Sequence, residues 1–314
     1  MFEGFERSRI DANGCSIHVV HGGSGPPLLM LHGYPQSHVE WHKVAPRLAE
    51  HYTVVCPDLR GYGDSDKPAS SDADLSTYCK RTTANDQVAV MRALGFESFH
   101  LVGHDRGVRV GLRLALDHPT RVLSLTNLDV VPSQEAFENM DASLAYSWFH
   151  WHLMRQPAPF PETVIANNAK LFLDLFLDTW SADRDAFTDE AYGEYLRCFS
   201  DFETVRAMCA DYRCVKLDLE HDDADRGSKL SCPVMVLWAG NMPKRLGWQT
   251  GQSLDMLSVW HARAEDVRGH ALDCGHFIPE ERPDELVVEL LGFCQRDAEA
   301  QSKPAANSSP KLKL

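Results

Sequence analysis

The stretch that decides the fold is FHLVGHDRGVRVGLRLALDHP, residues 99–119. Its apolar beginning ends in GHDRG (103–107), and apolar residues with helical spacing follow at once. A strand, a G-x-D-x-G turn and a helix in this order match a nucleophile elbow, with aspartate where serine often stands. The two glycines permit a tight turn that pushes the middle side chain, Asp105, into a pocket. The stretch therefore predicts a nucleophile between a buried strand and a helix.

The rest of the chain alternates in the same way. Apolar runs such as PPLLMLHG (26–33) are typical of strands buried on both faces. Segments with helical spacing follow after short connections, which predicts an α/β fold with a mostly parallel, doubly wound sheet. The alternation stops in one long helical segment that is rich in aromatic residues. We therefore predict a core of residues 1–132 and 229–298, an inserted helical cap of residues 133–228 and a disordered tail of residues 299–314.

Two shorter patterns make local predictions. Asn13-Gly14 separates two apolar segments, which is typical of a two-residue β-hairpin. SHVEWHKVAPRLAEH (37–51) has the spacing of a helix with its apolar residues turned inward.

Composition limits the partners. The net charge is -14 and no basic stripe is visible, so nucleic acid is not expected. An anionic substrate would need a local cationic pocket in such a protein. The nine scattered cysteines contain no C-x-x-C pair, which favours reduced, mostly buried thiols in a cytoplasm. The polar N-terminus does not resemble a secretory signal, and no apolar run is long enough to span a membrane.

An aspartate nucleophile restricts the reaction. Attack of serine on a saturated carbon would give an ether, which activated water cannot cleave. Attack of Asp105 gives an ester, and water can then attack the enzyme's own carboxyl carbon and release an alcohol. The residue type therefore indicates displacement at saturated carbon, either loss of a halide or opening of an epoxide.

The second step needs a base, an orienting acid and oxyanion donors. His276 in LDCGHF follows the last strand and is predicted to be the base, since histidine with a pKa of about 6.5 is largely neutral at pH 7. The seventh predicted strand is followed by no carboxylate before Asp255, whereas the sixth ends in TNLDVVP. We therefore predict Asp129 as the partner of His276, with a turn cap as the alternative role. The backbone N–H groups of Tyr34 and Arg106 are the predicted oxyanion donors.

Several motifs resemble those of the fluoroacetate (haloacetate) dehalogenases of the α/β-hydrolase superfamily. The resemblance covers nearly the whole chain up to about residue 297, and it is most specific where two arginines follow the aspartate and where FHW and DYR stand in the cap. The matching motifs are, in order, MLHGYPQS, DLRGYGDSDKP, LVGHDRGVRVGLRLALDHP, LDVVP, RQPAPFPE, DYR, LEHD and CGHF.

The resemblance implies roles for further residues. Arg106 and Arg109 would bind the substrate carboxylate as two cations that balance two anions, and their forked guanidinium groups suit that task. His150, Trp151 and Tyr212 would form the halide pocket with N–H and O–H donors. The resemblance also implies Trp180 as a pocket residue, and a small haloacid and water as the reactants. No metal is expected, because His150 and His152 are two apart and would diverge on a helix, and no cofactor is expected. The resemblance leaves a homodimer open. Tyr34 stands where phenylalanine is common in the family.

Three alternatives remain open from the sequence. An epoxide hydrolase shares the fold, nucleophile and base, but it needs two cap tyrosines and no carboxylate clamp. A haloalkane dehalogenase typically has tryptophan, not Arg106, directly after the nucleophile. A binding protein of this fold without turnover is the third alternative, and the apparently complete triad argues against it. Arg106 and Arg109 would, without a ligand, be two solvated helix residues.

Overall fold

A computed structural model of the chain describes residues 1–71, 73–241 and 255–302. An eight-stranded sheet lies at its centre, with the strand order β1-β2-β4-β3-β5-β6-β7-β8. The strands from β3 onward pair in parallel, while β1 with β2 and β2 with β4 pair antiparallel. The strands are β1 (Glu6–Ala12), β2 (Cys15–Gly23), β3 (Pro27–Leu31), β4 (Thr53–Pro57), β5 (Phe99–His104), β6 (Val122–Leu128), β7 (Val234–Ala239) and β8 (Val267–Leu272).

Helices cover both faces of this sheet, as the alternation predicts. Neighbouring residues of β3 show this, because Leu29 and Leu31 pack into one apolar cluster while Leu28 and Met30 pack into the other. The helices outside the cap are α1 (Ala45–Leu48), α2 (Lys80–Ala93), α3 (Arg106–Asp117), α12 (Met256–Arg263), α13 (Ile278–Glu281) and α14 (Pro283–Ser302), together with a 3₁₀ helix (His38–Trp41).

Between β6 and β7 the described chain is helical. These helices form the cap, and their apolar residues share a continuous cluster with the helices on one face of the sheet. The helices of the cap are α4 (Ser133–Glu138), α5 (Ala142–Ser147), α6 (Phe149–Met154), α7 (Phe160–Ala166), α8 (Ala169–Trp180), α9 (Asp189–Phe199), α10 (Phe202–Arg213) and α11 (Val215–Ala224), with a 3₁₀ helix (Arg184–Ala186).

The local predictions have mixed outcomes. Asn13 and Gly14 adopt φ values of 55° and 76° between β1 and β2, so the predicted hairpin is confirmed. The single helix predicted for residues 37–51 is wrong, because the segment is divided into the 3₁₀ helix and the short α1. Pro46 stands in the first turn of α1, where proline can begin a helix but cannot continue one. The inward apolar residues are nevertheless buried.

The C-terminal helix α14 runs further than the predicted core. Helix α14 continues to Ser302, four residues into the segment predicted to be disordered, because glutamine, alanine and glutamate there are good helix formers. Residues 303–314 of the predicted tail lie outside the described residues.

All nine cysteines are buried, and none of them forms a disulfide in the described chain. Among the described helices, none has the length and apolar character that crossing a membrane requires.

Candidate active site

The turn between β5 and α3 holds Asp105 in a rare backbone conformation. Its φ of 45° and ψ of −110° are unfavourable for a residue with a side chain and cost on the order of 1–3 kcal/mol. The two glycines of the motif permit this geometry. A Cβ on Gly107 would lie 2.1 Å from the carbonyl oxygen of Leu31, and one on Gly103 would lie 2.7 Å from the carbonyl carbon of Gly107. Helix α3 can therefore approach the neighbouring strand closely and present Asp105 at its end.

The Asp105 carboxylate lies against the loop that follows β3. The N–H of Tyr34 donates a hydrogen bond to Oδ1 at 2.8 Å. Burial alone would raise the pKa of Asp105, but interactions with His276, Arg109 and His104 outweigh burial and hold the pKa below its usual value. Asp105 is therefore ionised, with Oδ2 as the oxygen available for attack. Among described groups, Tyr34 is the one that donates to this carboxylate, so the second donor, the Arg106 N–H, stays a prediction.

His276 and Asp129 are brought together from two strand ends. The Nδ1 of His276 lies 2.7 Å from Oδ2 of Asp129, so this nitrogen carries the proton that the carboxylate accepts. The other oxygen of Asp129 accepts a hydrogen bond from the N–H of Ala239 at 2.8 Å. One oxygen of Asp129 can thus orient His276 while the other has a structural role by binding the backbone. Nε2 of His276 has no hydrogen-bond partner among the described residues.

Glu281 fixes the loop that carries His276. This carboxylate is buried and accepts four backbone hydrogen bonds. Two donors flank His276 in the chain and two follow Trp180 in the cap: Gly275 at 3.0 Å, Phe277 at 3.2 Å, Ala182 at 2.8 Å and Asp183 at 3.1 Å. The N–H of His276 also donates to the carbonyl oxygen of Trp180 at 2.7 Å. The base loop and the end of α8 are therefore held as one unit, a role that the sequence pattern did not predict for Glu281.

Arg106 is anchored by a carboxylate that the sequence analysis missed. Its Nε donates to Oδ2 of Asp211 at 2.8 Å, and its guanidinium carbon lies 4.3 Å from the centre of the Tyr212 ring. Asp211 also accepts hydrogen bonds from Nζ of Lys80 and, at 2.9 Å, from the Tyr62 hydroxyl. Burial would raise the pKa of Asp211, but Arg106 and Lys80 hold it well below the usual range. Only the tertiary fold brings Asp211 to Arg106, since the two are 105 residues apart.

Arg109 differs from Arg106 because no carboxylate pairs with it among the described residues. Its guanidinium lies 4.5 Å from the centre of the Trp151 ring, and one nitrogen donates to the Ser133 hydroxyl at 3.1 Å. Its Nε is buried without a hydrogen-bond partner in the described chain. Burial, reinforced by the like charge of Arg106, lowers the pKa of Arg109 to about 10. Arg109 is therefore a cation at pH 7 with unused hydrogen-bonding capacity.

The predicted cap residues form an aromatic cluster around this site. The ring of His150 stacks on that of Tyr34 at 5.6 Å and lies 4.9 Å from Trp180. Trp151 and Tyr212 are in edge contact at 5.4 Å, and Trp180 meets the ring of His276 at 5.5 Å. The predicted site residues thus lie in one connected group: Asp105, His276, Asp129, Arg106, Arg109, His150, Trp151, Tyr212, Tyr34 and Trp180.

Several polar atoms of this cluster have no protein partner. They are the Tyr34 hydroxyl, Nδ1 of His150 and Nε1 of Trp180, none of which has a hydrogen-bond partner among the described residues. Burial lowers the pKa of His150 to about 3, so its ring is neutral at pH 7. Buried donors without a partner are costly and uncommon, and their concentration here indicates a site built to receive a polar ligand.

Three side chains that could hold a metal ion converge at two places among the described residues. They are His18 with His38 and Asp58, and Cys79 with Asp218 and His221. In the first group Asp58 already accepts hydrogen bonds from Nδ1 of both histidines, at 3.0 and 2.9 Å. In the second, Oδ1 of Asp218 accepts the N–H of Lys80 at 2.7 Å. Asp58 and Asp218 are thus already bound by protein donors, and the reaction considered below uses neither group.

Comparisons with known proteins agree with this geometry. The model of the α/β hydrolase fold family matches residues 26–283. Fluoroacetate dehalogenase from Burkholderia sp is 44% identical over 297 residues, which cover 93% of this chain and 95% of that protein. Soluble epoxide hydrolase from Corynebacterium sp. (strain C12) is 34% identical over 285 residues, which cover 90% and 94%. The crystal structure of an alpha/beta hydrolase from Nostoc sp PCC 7120 has a TM-score of 0.89 at 47% identity and covers 94% of this chain and 99% of that chain. The chain therefore belongs to the α/β-hydrolase fold family, and the resemblance to fluoroacetate dehalogenases that its motifs indicate is confirmed.

Proposed function

We propose that this hydrolase converts a haloacetate, with fluoroacetate as the first candidate, to glycolate and halide through an ester on Asp105. The observation that carries the proposal is Arg109, a buried cation without a carboxylate partner among the described residues, on the same helix as the nucleophile. A small substrate with its own carboxylate supplies the missing anion. The relative named fluoroacetate dehalogenase supports the same substrate class.

The first step is a displacement at carbon 2 of the haloacetate. Oδ2 of Asp105 forms a bond to this carbon while the carbon–halogen bond breaks, and the electron pair leaves with the halide. Departing fluoride requires N–H or O–H donors because it is small and strongly hydrated. His150, Trp151 and Tyr212 provide three such groups in the cap. Arg106 and Arg109 hold the substrate carboxylate so that carbon 2 faces the nucleophile.

The second step is hydrolysis of the ester. Nε2 of His276 accepts a proton from water, and the resulting hydroxide attacks the carboxyl carbon of Asp105. Oδ1 becomes the oxyanion and keeps the hydrogen bond from Tyr34, which already measures 2.8 Å. The bond from this carbon to the glycolyl oxygen then breaks, and glycolate leaves with a proton. One oxygen from water remains in the restored Asp105 carboxylate.

The test is a single turnover of fluoroacetate in heavy-oxygen water. We expect fluoride release by the wild type and none by Asp105→Ala. We also expect the label in the Asp105 peptide by mass spectrometry and unlabelled glycolate in the first turnover. Label that passes directly into glycolate would contradict the ester intermediate. An Asp105→Ala variant with wild-type activity would contradict the role of Asp105 as nucleophile.

Epoxide hydrolysis is the second candidate function. It is favoured by the relative named soluble epoxide hydrolase. Tyr212 is a cap tyrosine whose hydroxyl could protonate the oxygen of an opening epoxide. Tyr34, whose ring lies 5.6 Å from that of Tyr212, belongs to the loop after β3 and not to the cap. This function would leave the buried Arg109 cation without a counterion from the substrate. Turnover of styrene oxide but not of any haloacetate would select the epoxide function.

A further inference from the structure

A buried ion pair lies beneath the candidate active site. Glu40 is in the 3₁₀ helix that follows the oxyanion loop, and His104 is the last residue of β5. Neither side chain has any solvent exposure. Oε2 of Glu40 lies 3.1 Å from Nδ1 of His104.

The contacts of His104 define its protonation. Nε2 lies 2.9 Å from the backbone carbonyl oxygen of His276, and a carbonyl oxygen can only accept, so Nε2 carries a proton. Nδ1 faces the Glu40 oxygen that already accepts the N–H of Gly33 at 3.2 Å. Both ring nitrogens therefore donate. Burial alone would lower the pKa of His104, but Glu40 raises it to about 9, in agreement with this geometry.

This pair contacts all three loops that build the site. Gly33 directly precedes Tyr34, whose N–H binds the nucleophile. His104 directly precedes Asp105 in the elbow. The carbonyl group of His276 belongs to the proposed base, whose ring centre lies 4.6 Å from that of His104.

We propose that Glu40 and His104 are positioning residues, which hold the oxyanion loop, the nucleophile and the base together and place a fixed imidazolium beside His276. The effect on rate rests on the proposed function, whereas the ion pair itself does not.

The rate test compares Glu40→Gln, His104→Gln and the double variant with the wild type. The control is Glu280→Gln, which removes an equally buried carboxylate whose described partners include the Tyr195 hydroxyl, at 2.6 Å, and Lys43. Glutamine can still accept the N–H of Gly33, so Glu40→Gln mainly removes charge. We expect kcat on fluoroacetate to fall about 10–100-fold with KM changed little, since displaced catalytic groups cost rates of this order. Glu280→Gln should leave both kcat and KM close to those of the wild type.

Coupling provides a further criterion. Because both residues act through one contact, the double variant should be no slower than the slower single variant. Additive losses, or a Glu40→Gln variant with the wild-type kcat, would overturn the proposal.

A second measurement needs no substrate. Nitrogen NMR of the histidine rings should show both nitrogens of His104 protonated at pH 8 in the wild type, and one proton lost in Glu40→Gln. A neutral His104 ring at pH 8 in the wild type would overturn the ion pair. If the wild type released no halide, the proposed function would fail. The spectrum would still show whether Glu40 and His104 form an ion pair.

Discussion

Replacing Arg109 by methionine should make the ligand-free protein more stable. The guanidinium is 95% buried, yet it has a single described hydrogen bond, to Ser133. Its pKa falls from 12.5 to about 10, which corresponds to about 3 kcal/mol opposing folding at all pH values below about 10. The contact with Trp151 and the Ser133 hydrogen bond offset about 1–2 kcal/mol of this cost. Arg109→Met should therefore gain about 1–2 kcal/mol, since methionine fills most of the same volume.

The assay is urea unfolding of the ligand-free proteins at pH 7. Arg113 provides the matched control because it is one turn further along α3 and equally buried, but it pairs with Asp117 at 2.6 Å. Arg113→Met should lose about 1–3 kcal/mol, because it removes two short ion pairs of a buried guanidinium, with Asp117 and with Asp225, and leaves Asp117 to Arg81 alone. The two substitutions on one helix should thus change the free energy of unfolding in opposite directions.

Ligand binding gives the complementary measurement. Glycolate should raise the unfolding free energy of the wild type in proportion to the logarithm of its concentration, and it should not stabilise Arg109→Met. The reasoning would be refuted if Arg109→Met were less stable than the wild type, or if glycolate protected both proteins equally.

Three further predictions concern the elbow, the base loop and the buried ion pair. Gly107→Ala should fail to reach the native fold, because its Cβ would lie 2.1 Å from a carbonyl oxygen of β3. The control is Gly292→Ala in α14, whose Cβ meets no atom within 4 Å. This variant should gain about 0.5–1 kcal/mol in the free energy of unfolding, measured by thermal unfolding. Glu281→Gln places an amide donor among four N–H groups, so it should lose about 1–3 kcal/mol in urea unfolding and lower kcat more than it changes KM. The raised pKa of His104, from 6.5 to about 9, gives a stability contribution of about 3 kcal/mol that is present below pH 6.5 and is lost as the pH rises through 9. The difference in unfolding free energy between the wild type and Glu40→Gln should therefore shrink between these pH values, and a constant difference would contradict the pair.

The parts of the site that the sequence could predict are those that depend on local pattern or chain order. The G-x-D-x-G turn points to Asp105 because its glycines are needed within a few residues of the proposed nucleophile. His276 and Asp129 follow from their positions after predicted strands, since parallel strands end at the same edge of a sheet. Their approach to 2.7 Å is a consequence of that topology.

The residues that support the site are not marked by a local sequence pattern or by their order in the chain. Asp211 pairs with Arg106 across the boundary between cap and core, and Glu281 binds backbone groups of both. Such partners depend on how helices of the cap pack, which is set by many apolar contacts and by no motif. Glu40 reads as an ordinary helix residue in the sequence and is fully buried in the fold.

The charged residues that support the site also contribute to its net charge during the proposed reaction. Without them, the positive charges of Arg106 and Arg109 equal the negative charges of Asp105 and the substrate carboxylate. Asp211 and Lys80 add one anion and one cation to this group, so the balance with substrate bound is preserved. During displacement the charge of Asp105 passes to the halide, and departure of the halide leaves one cation in excess. An excess cation beside Asp105 stabilises the negative charge that forms on Oδ1 when hydroxide attacks the ester. Release of the halide before hydrolysis would therefore favour the second step of the proposed reaction.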